Sequence, residues 1–139
     1  MKLAFTGIIS FGLVMILVLL SWSPIEPNQE GSKSVQRGKK IYASNCAVCH
    51  MANGMGIAKV FPPLAQSDYL MEDISRAGET IRNGLKGKIS VNEASYTGMM
   101  SGFSFSDQEL ADVVNYITNS WGNKAEEVDA TWASKIKKN

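Results

Sequence analysis

A chain of 139 residues with 14 basic and 13 acidic side chains carries a formal charge of +1. That balance excludes a general nucleic-acid binder and a protein built for strongly anionic substrates, so the choice of partner falls to local patches. Once an apolar N-terminus is set aside, the length leaves room for one domain of about 115 residues and no second catalytic domain.

The first element in the chain is residues 3–22, uncharged and rich in leucine, isoleucine, valine and methionine. This run is long enough to cross a bilayer as a helix and longer than a usual signal-peptide core. Ser21 and Ser23 offer a weak cleavage site that Pro24 would hinder. Residues 1–23 are therefore expected to be a membrane anchor, with a removed signal as the alternative. A buried core helix would need a polar face that this run lacks. Either reading exports the rest of the chain, and Lys2 agrees in sign with a cytoplasmic N-terminus. The expected place is the outer, periplasmic face of the cytoplasmic membrane, or the soluble periplasm if the segment is cleaved.

Residues 24–33 hold Pro24, Pro27, Asn28, Gly31 and Ser32 without apolar periodicity and read as a linker. From Ser34, Val35, Gly38, Ile41 and Tyr42 recur at helical spacing while Arg37, Lys39 and Lys40 face water. This helix runs into Cys46-Ala47-Val48-Cys49-His50, which dissolves into a loop with Gly54 and Gly56. Ser67 or Asp68 can cap a second helix through Met71, and a third fits residues 75–83, ended by Gly84. The β-branched stretch 89–96 around Asn92-Glu93 suggests a small hairpin. Ser106 and Glu109 form a capping box for the last helix, whose apolar stripe is Leu110, Val113, Val114, Ile117 and Trp121, stopped by Gly122-Asn123. In residues 124–139, Val128, Trp132 and Ile136 lie four apart, consistent with a short appended helix. The domain is thus expected over residues 34–123, with 124–139 as an extension.

The only cysteines are Cys46 and Cys49, and the only histidine is His50. Cysteines two residues apart with histidine next are the signature for covalent attachment of one haem c. On one turn both thiols can reach the two vinyl groups of a porphyrin while the imidazole swings under the iron. A dithiol redox site would want a strand before and a helix after, whereas a helix precedes and a glycine loop follows. A zinc site needs four ligands, and no further cysteine or histidine exists. A disulfide this short would close almost no loop. The sixth position on the iron then goes to methionine, lysine, a backbone or water group, or stays open. Met51 and Met55 lie too close to His50, and Met71 sits in the apolar pattern of a helix. Met99 and Met100, expected in a loop before the last helix, are the remaining methionine candidates, and spacing does not separate them.

Residues 35–123 resemble a class I, monohaem bacterial cytochrome c. Gly38 and Tyr42 before the haem motif match that family, as do Val113 and Tyr116 on the last helix, and the segments 83–89 and 119–123. Phe61-Pro62-Pro63-Leu64 is similar to the family segment whose proline carbonyl accepts the histidine ring N–H, with Pro62 the better match. The resemblance implies an all-α class I fold, in which the N- and C-terminal helices pack on each other around the haem. It also aligns Gly98-Met99-Met100-Ser101-Gly102-Phe103 so that Met100 is the axial ligand and Met99 packs; Ser101 departs from the usual proline.

The implied function is single-electron transfer between a redox protein donor and acceptor, without a small-molecule substrate, nucleic acid or enzymatic step. An alternative is the electron-entry subunit of a larger oxidase, reductase or dehydrogenase; a haem enzyme or gas-binding protein would need an open sixth position. Lys59, Arg82, Lys86 and Lys88 are candidates for a basic rim opposite Asp107, Glu109 and Asp112, or simply solvated charges. Tyr96 is either a propionate donor or an ordinary strand tyrosine.

Overall fold

The computed structural model describes residues 29–139, with side chains from Lys33 onward. The expected anchor or signal segment, residues 1–23, lies outside the described residues. Among those described, no helix is long and apolar enough to cross a membrane.

The order of elements is α1 (Gln29–Asn45), α2 (Ala47–His50), α3 (Asp68–Glu72), α4 (Ile74–Asn83), β1 (Leu85–Val91), β2 (Ala94–Met100), α5 (Asp107–Thr118) and α6 (Ala130–Ser134). Helix α1 starts at Gln29, inside the stretch that turn-forming residues mark as linker. The Ser67 side chain caps α3 by accepting from Leu70 N–H, and Asp73 caps α4 in the same way from Arg76 N–H. The capping box on α5 is complete, because Ser106 accepts from Glu109 N–H and the Glu109 carboxylate accepts from Ser106 N–H.

Helices α1 and α5 cross at the centre. A Cβ on Gly38 would collide with the Asp112 carbonyl oxygen and lie 2.8 Å from Tyr116 Cβ, so glycine sets how closely the helices approach. Tyr42, Tyr116 and Trp121 close the crossing as an aromatic trio with ring centroids 5.1–5.2 Å apart. Leu110, Val113, Val114 and Ile117 are buried as the stripe requires. Trp121 packs with them from beyond the helix, which ends at Thr118.

Two expectations change here. The fold is not purely α-helical, because the hairpin suggested around Asn92-Glu93 forms a two-stranded antiparallel sheet, β1 on β2, which runs from Leu85↔Met100 to Val91↔Ala94. The hairpin is longer than stretch 89–96 because the ladder extends through Gly87 and Gly98, which have no strand-forming side chain to announce them. Its turn residues Asn92 and Glu93 both have positive φ, the tight two-residue geometry that fits strand twist. Secondly, Asp112 is not part of an acidic surface. It is 2 % exposed and takes a bidentate bond from Arg37, with Nε–Oδ2 2.6 Å and Nη2–Oδ1 2.7 Å. Ser34 and Gln108 also donate to Oδ1. Burial alone would raise this carboxyl, but the bonds from Arg37, Ser34 and Gln108 outweigh it and hold it below the ordinary range. Arg82 likewise leaves the expected basic rim, because it pairs with Asp107 at 2.7 Å.

Candidate functional site

Helix α1 ends where the two cysteines begin, and backbone bonds from Cys46, Cys49 and His50 continue the winding, so both thiols and the imidazole leave from a single turn. Both thiols are free and partly exposed. Burial and then the neighbouring Cys49 push the Cys46 thiol up to about 11, so it stays protonated at neutral pH.

The segment after His50 folds back beneath it. Gly56 N–H donates to the His50 carbonyl, and Leu64 and Ala65 N–H both donate to the Gly54 carbonyl. Asn123, beyond α5, ties this segment to the core: its amide donates to the carbonyls of Leu64 and Ile117 and accepts from Gln66 N–H. The Tyr42 hydroxyl donates to the Met51 carbonyl at 2.7 Å. These bonds bring the Pro62 carbonyl to 2.9 Å from His50 Nδ1. Since a carbonyl only accepts, Nδ1 carries the proton and the Nε2 lone pair is left for a metal. Burial holds the imidazole below its ordinary pKa, with the Pro62 bond opposing, so the neutral, ligating form prevails at neutral pH.

His50 opens onto a cleft of about 1070 Å³, counting its mouth, and an adjoining apolar recess of about 690 Å³. Both share Cys46, His50, Pro62, Leu85, Ile89 and Met100, and Cys49 lines the outer one. The recess reaches the core through Leu70, Ile81, Val113 and Ile117. Met100 is in the wall of both spaces, whereas Met99 borders only the outer cleft and is 76 % exposed. Neither methionine sits in the loop expected for them; both end strand β2, opposite Leu85 and Lys86. Alternation along a strand turns neighbours to opposite faces, and only Met100 reaches the inner recess. Tyr96, four residues before Met100 on the same strand and paired with Ile89, is buried beside the same outer cleft.

An apolar slot with a tautomer-fixed imidazole in its wall, a thioether in the same wall set and two free thiols at its rim defines a haem c pocket, and these residues fit that group. The cytochrome c family profile matches residues 35–121. The chain is 41 % identical over 93 residues to cytochrome c-552 of Thermus thermophilus, covering 62 % of this chain and 69 % of that one. It is 40 % identical over 92 residues to the cytochrome c subunit of the quinone alcohol dehydrogenase of Gluconobacter oxydans, covering 63 % of this chain but only 19 % of that subunit. The cbb3-type oxidase subunit FixP of Azorhizobium caulinodans is 33 % identical over 102 residues, 70 % of this chain and 33 % of that one. This chain belongs to the cytochrome c family. Its cofactor is a covalently bound haem c, and it is an electron carrier.

Sequence reasoning missed the Asp112, Arg37 and Ser34 cluster and the pinning of the haem loop by Asn123. The visible signal for the first was Asp112 and Asn115 set within the apolar stripe of α5, where polar residues need partners.

Proposed function

We propose that the chain passes single electrons between redox proteins, with Cys46 and Cys49 bonded to the haem and His50 and Met100 as axial ligands. When bound, haem supplies an iron that cycles between ferric and ferrous states. The chain's own groups do the rest. His50, oriented by Pro62, donates a nitrogen lone pair, and Met100 offers a soft sulfur that favours the reduced state. Leu85, Ile89, Val113 and Ile117 exclude water from the slot.

The observation that carries this reading is that Met100 and His50 line the same cavity, with both thiols in its wall. The exposed large apolar side chains support transfer at a partner interface: Val48 lies within the haem motif, Met55 and Ile57 in the loop that follows it, and Val60 and Met99 line the outer cleft. A spectroscopic redox titration should give a one-electron transition for one haem per chain, and the ferrous protein should bind carbon monoxide only slowly. Rapid carbon monoxide binding by native protein would instead mean an open sixth position and a haem enzyme or gas binder.

In this reading residues 1–23 hold the domain, residues 34–123, on the periplasmic face of the cytoplasmic membrane. The uncharged run 3–22 supports it. Expression with export-side haem attachment should put the protein in the membrane fraction. A soluble native form starting near Pro24 would show a removed signal. Likeness to named dehydrogenase and oxidase subunits favours a second assembly, in which the same site is the electron-entry point of a larger complex. Co-purification of a catalytic subunit from native membranes would establish it.

A further inference from the structure

Residues 124–139 follow the last helix of the haem domain, and nothing in the haem motif calls for them. They fold back through Val128, whose N–H and carbonyl both bond the Asn115 side chain, each at 2.8 Å. Helix α6 then lays Trp132 on α4, where its ring would be 2.8 Å from a Cβ at Gly78, and Ile136 is buried beside it. The chain end reaches the last residue of α4. Asn83 Nδ2 donates to the Lys137 carbonyl at 3.0 Å, and Asn83 Oδ1 accepts from Asn139 N–H at 2.9 Å.

The other side of the same helix end carries the methionine segment. Phe103 N–H donates to the Ile81 carbonyl at 2.8 Å, and the Met100 carbonyl oxygen lies 2.6 Å from where a Cβ on Gly84 would stand. Lys138 Nζ reaches across to Ser104 Oγ at 3.0 Å. The residue after Met100 is Ser101, which leaves that backbone the freedom a proline would remove.

We propose that residues 124–139 form a strap that positions Met100, acting through Asn83 at the end of α4, and so keeps the sulfur side of the haem closed. The inference rests on the reading of Met100 as an axial ligand. Trp132 anchors the strap in the notch at Gly78, Asn83 is the positioning residue that transmits it, and the segment 100–104 is what it restrains. The strap touches neither the haem motif nor the His50 loop in any of these contacts, so its influence is confined to one side of the cavity.

The test uses the full-length holoprotein and reads the far-red sulfur-to-iron band of the ferric form, carbon monoxide association with the ferrous form, and helix unfolding by circular dichroism. Asn83→Ala, which removes both bonds to the strap, should admit carbon monoxide about tenfold faster than the native protein, the factor that about 1.4 kcal/mol of lost closure produces. It should also lose the far-red band on heating well below the temperature at which the helices unfold, while in native protein the two transitions coincide. Trp132→Ala should act in the same direction, and Lys138→Ala, which leaves Asn83 bonded, should act weakly. If Trp132→Ala does not fold, the comparison of Asn83→Ala with Asn83→Gln decides, since glutamine keeps the same donor and acceptor and should restore part of the native behaviour. Equal falls in band loss and helix unfolding, with native carbon monoxide rates, would reduce the strap to general stability and overturn the proposal. Absence of the far-red band from native protein would instead remove methionine ligation itself, a failure of the underlying reading that is visible before any variant is made.

Discussion

Leu85 and Met100 face each other at the open end of the hairpin, and both side chains line the cavity above His50. Their neighbours Lys86 and Met99 form the next pair and turn outward, with Met99 76 % exposed. The strand therefore separates two adjacent methionines by a full reversal of direction. Met99→Leu is expected to keep the far-red band and the potential of the native protein. Met100→Ala should abolish the band, lower the potential and let carbon monoxide bind the ferrous form. The reverse pattern in the two variants would assign Met99 instead.

Attachment through two thioethers should survive conditions that break ligand bonds. Haem is expected to stay with the protein through acid and organic extraction, and the double substitution Cys46→Ala with Cys49→Ala should release it. A native protein that gives up its haem on extraction would rule out covalent attachment.

The bond from His50 to the Pro62 carbonyl depends on Gly56. This residue has φ of 61°, and a Cβ there would collide with the Phe61 carbonyl oxygen and lie 2.6 Å from that of Pro62. Gly56→Ala is expected to push the Pro62 carbonyl away, make the imidazole a poorer donor and raise the reduction potential. A lost bond of about 1 kcal/mol corresponds to roughly 40 mV in a one-electron couple. Potentiometry checks this, and an unchanged potential would mean that the carbonyl stays in place.

Arg37 and Asp112 join helices α1 and α5 across 75 positions of sequence. Asp112→Ala leaves the guanidinium and the Ser34 and Gln108 donors without their acceptor, and is expected to cost about 3 kcal/mol in denaturant unfolding. Because the folded carboxyl is held below its unfolded value of about 3.9, its contribution is complete above that pH and is lost as the pH falls toward the depressed folded value. Native protein should therefore lose stability on acidification below about pH 4 more steeply than Asp112→Asn, a difference that unfolding at a series of pH values measures.

The haem motif, the helix before it, the capped final helix and its apolar stripe were legible because each is local. A thiol, thiol and imidazole on one turn need only neighbouring residues, and a 3.6-residue stripe or a capping box is complete within a dozen positions. The choice of Met100 came from aligning the segment with a family pattern; residue spacing was silent, since the two adjacent methionines differ by only one position in their separation from His50. The parity of strand β2 supplies an independent reason for it, and that parity depends on pairing with β1. Composition likewise placed Asp112 and Arg82 among surface charges, because a charged residue in isolation favours water. Only tertiary structure brought Arg37 to the first and Asp107 to the second, and only it carried residues 124–139 back onto Asn83. These contacts join positions 25 to 75 residues apart. Their geometry follows from how whole helices pack, which no local pattern encodes.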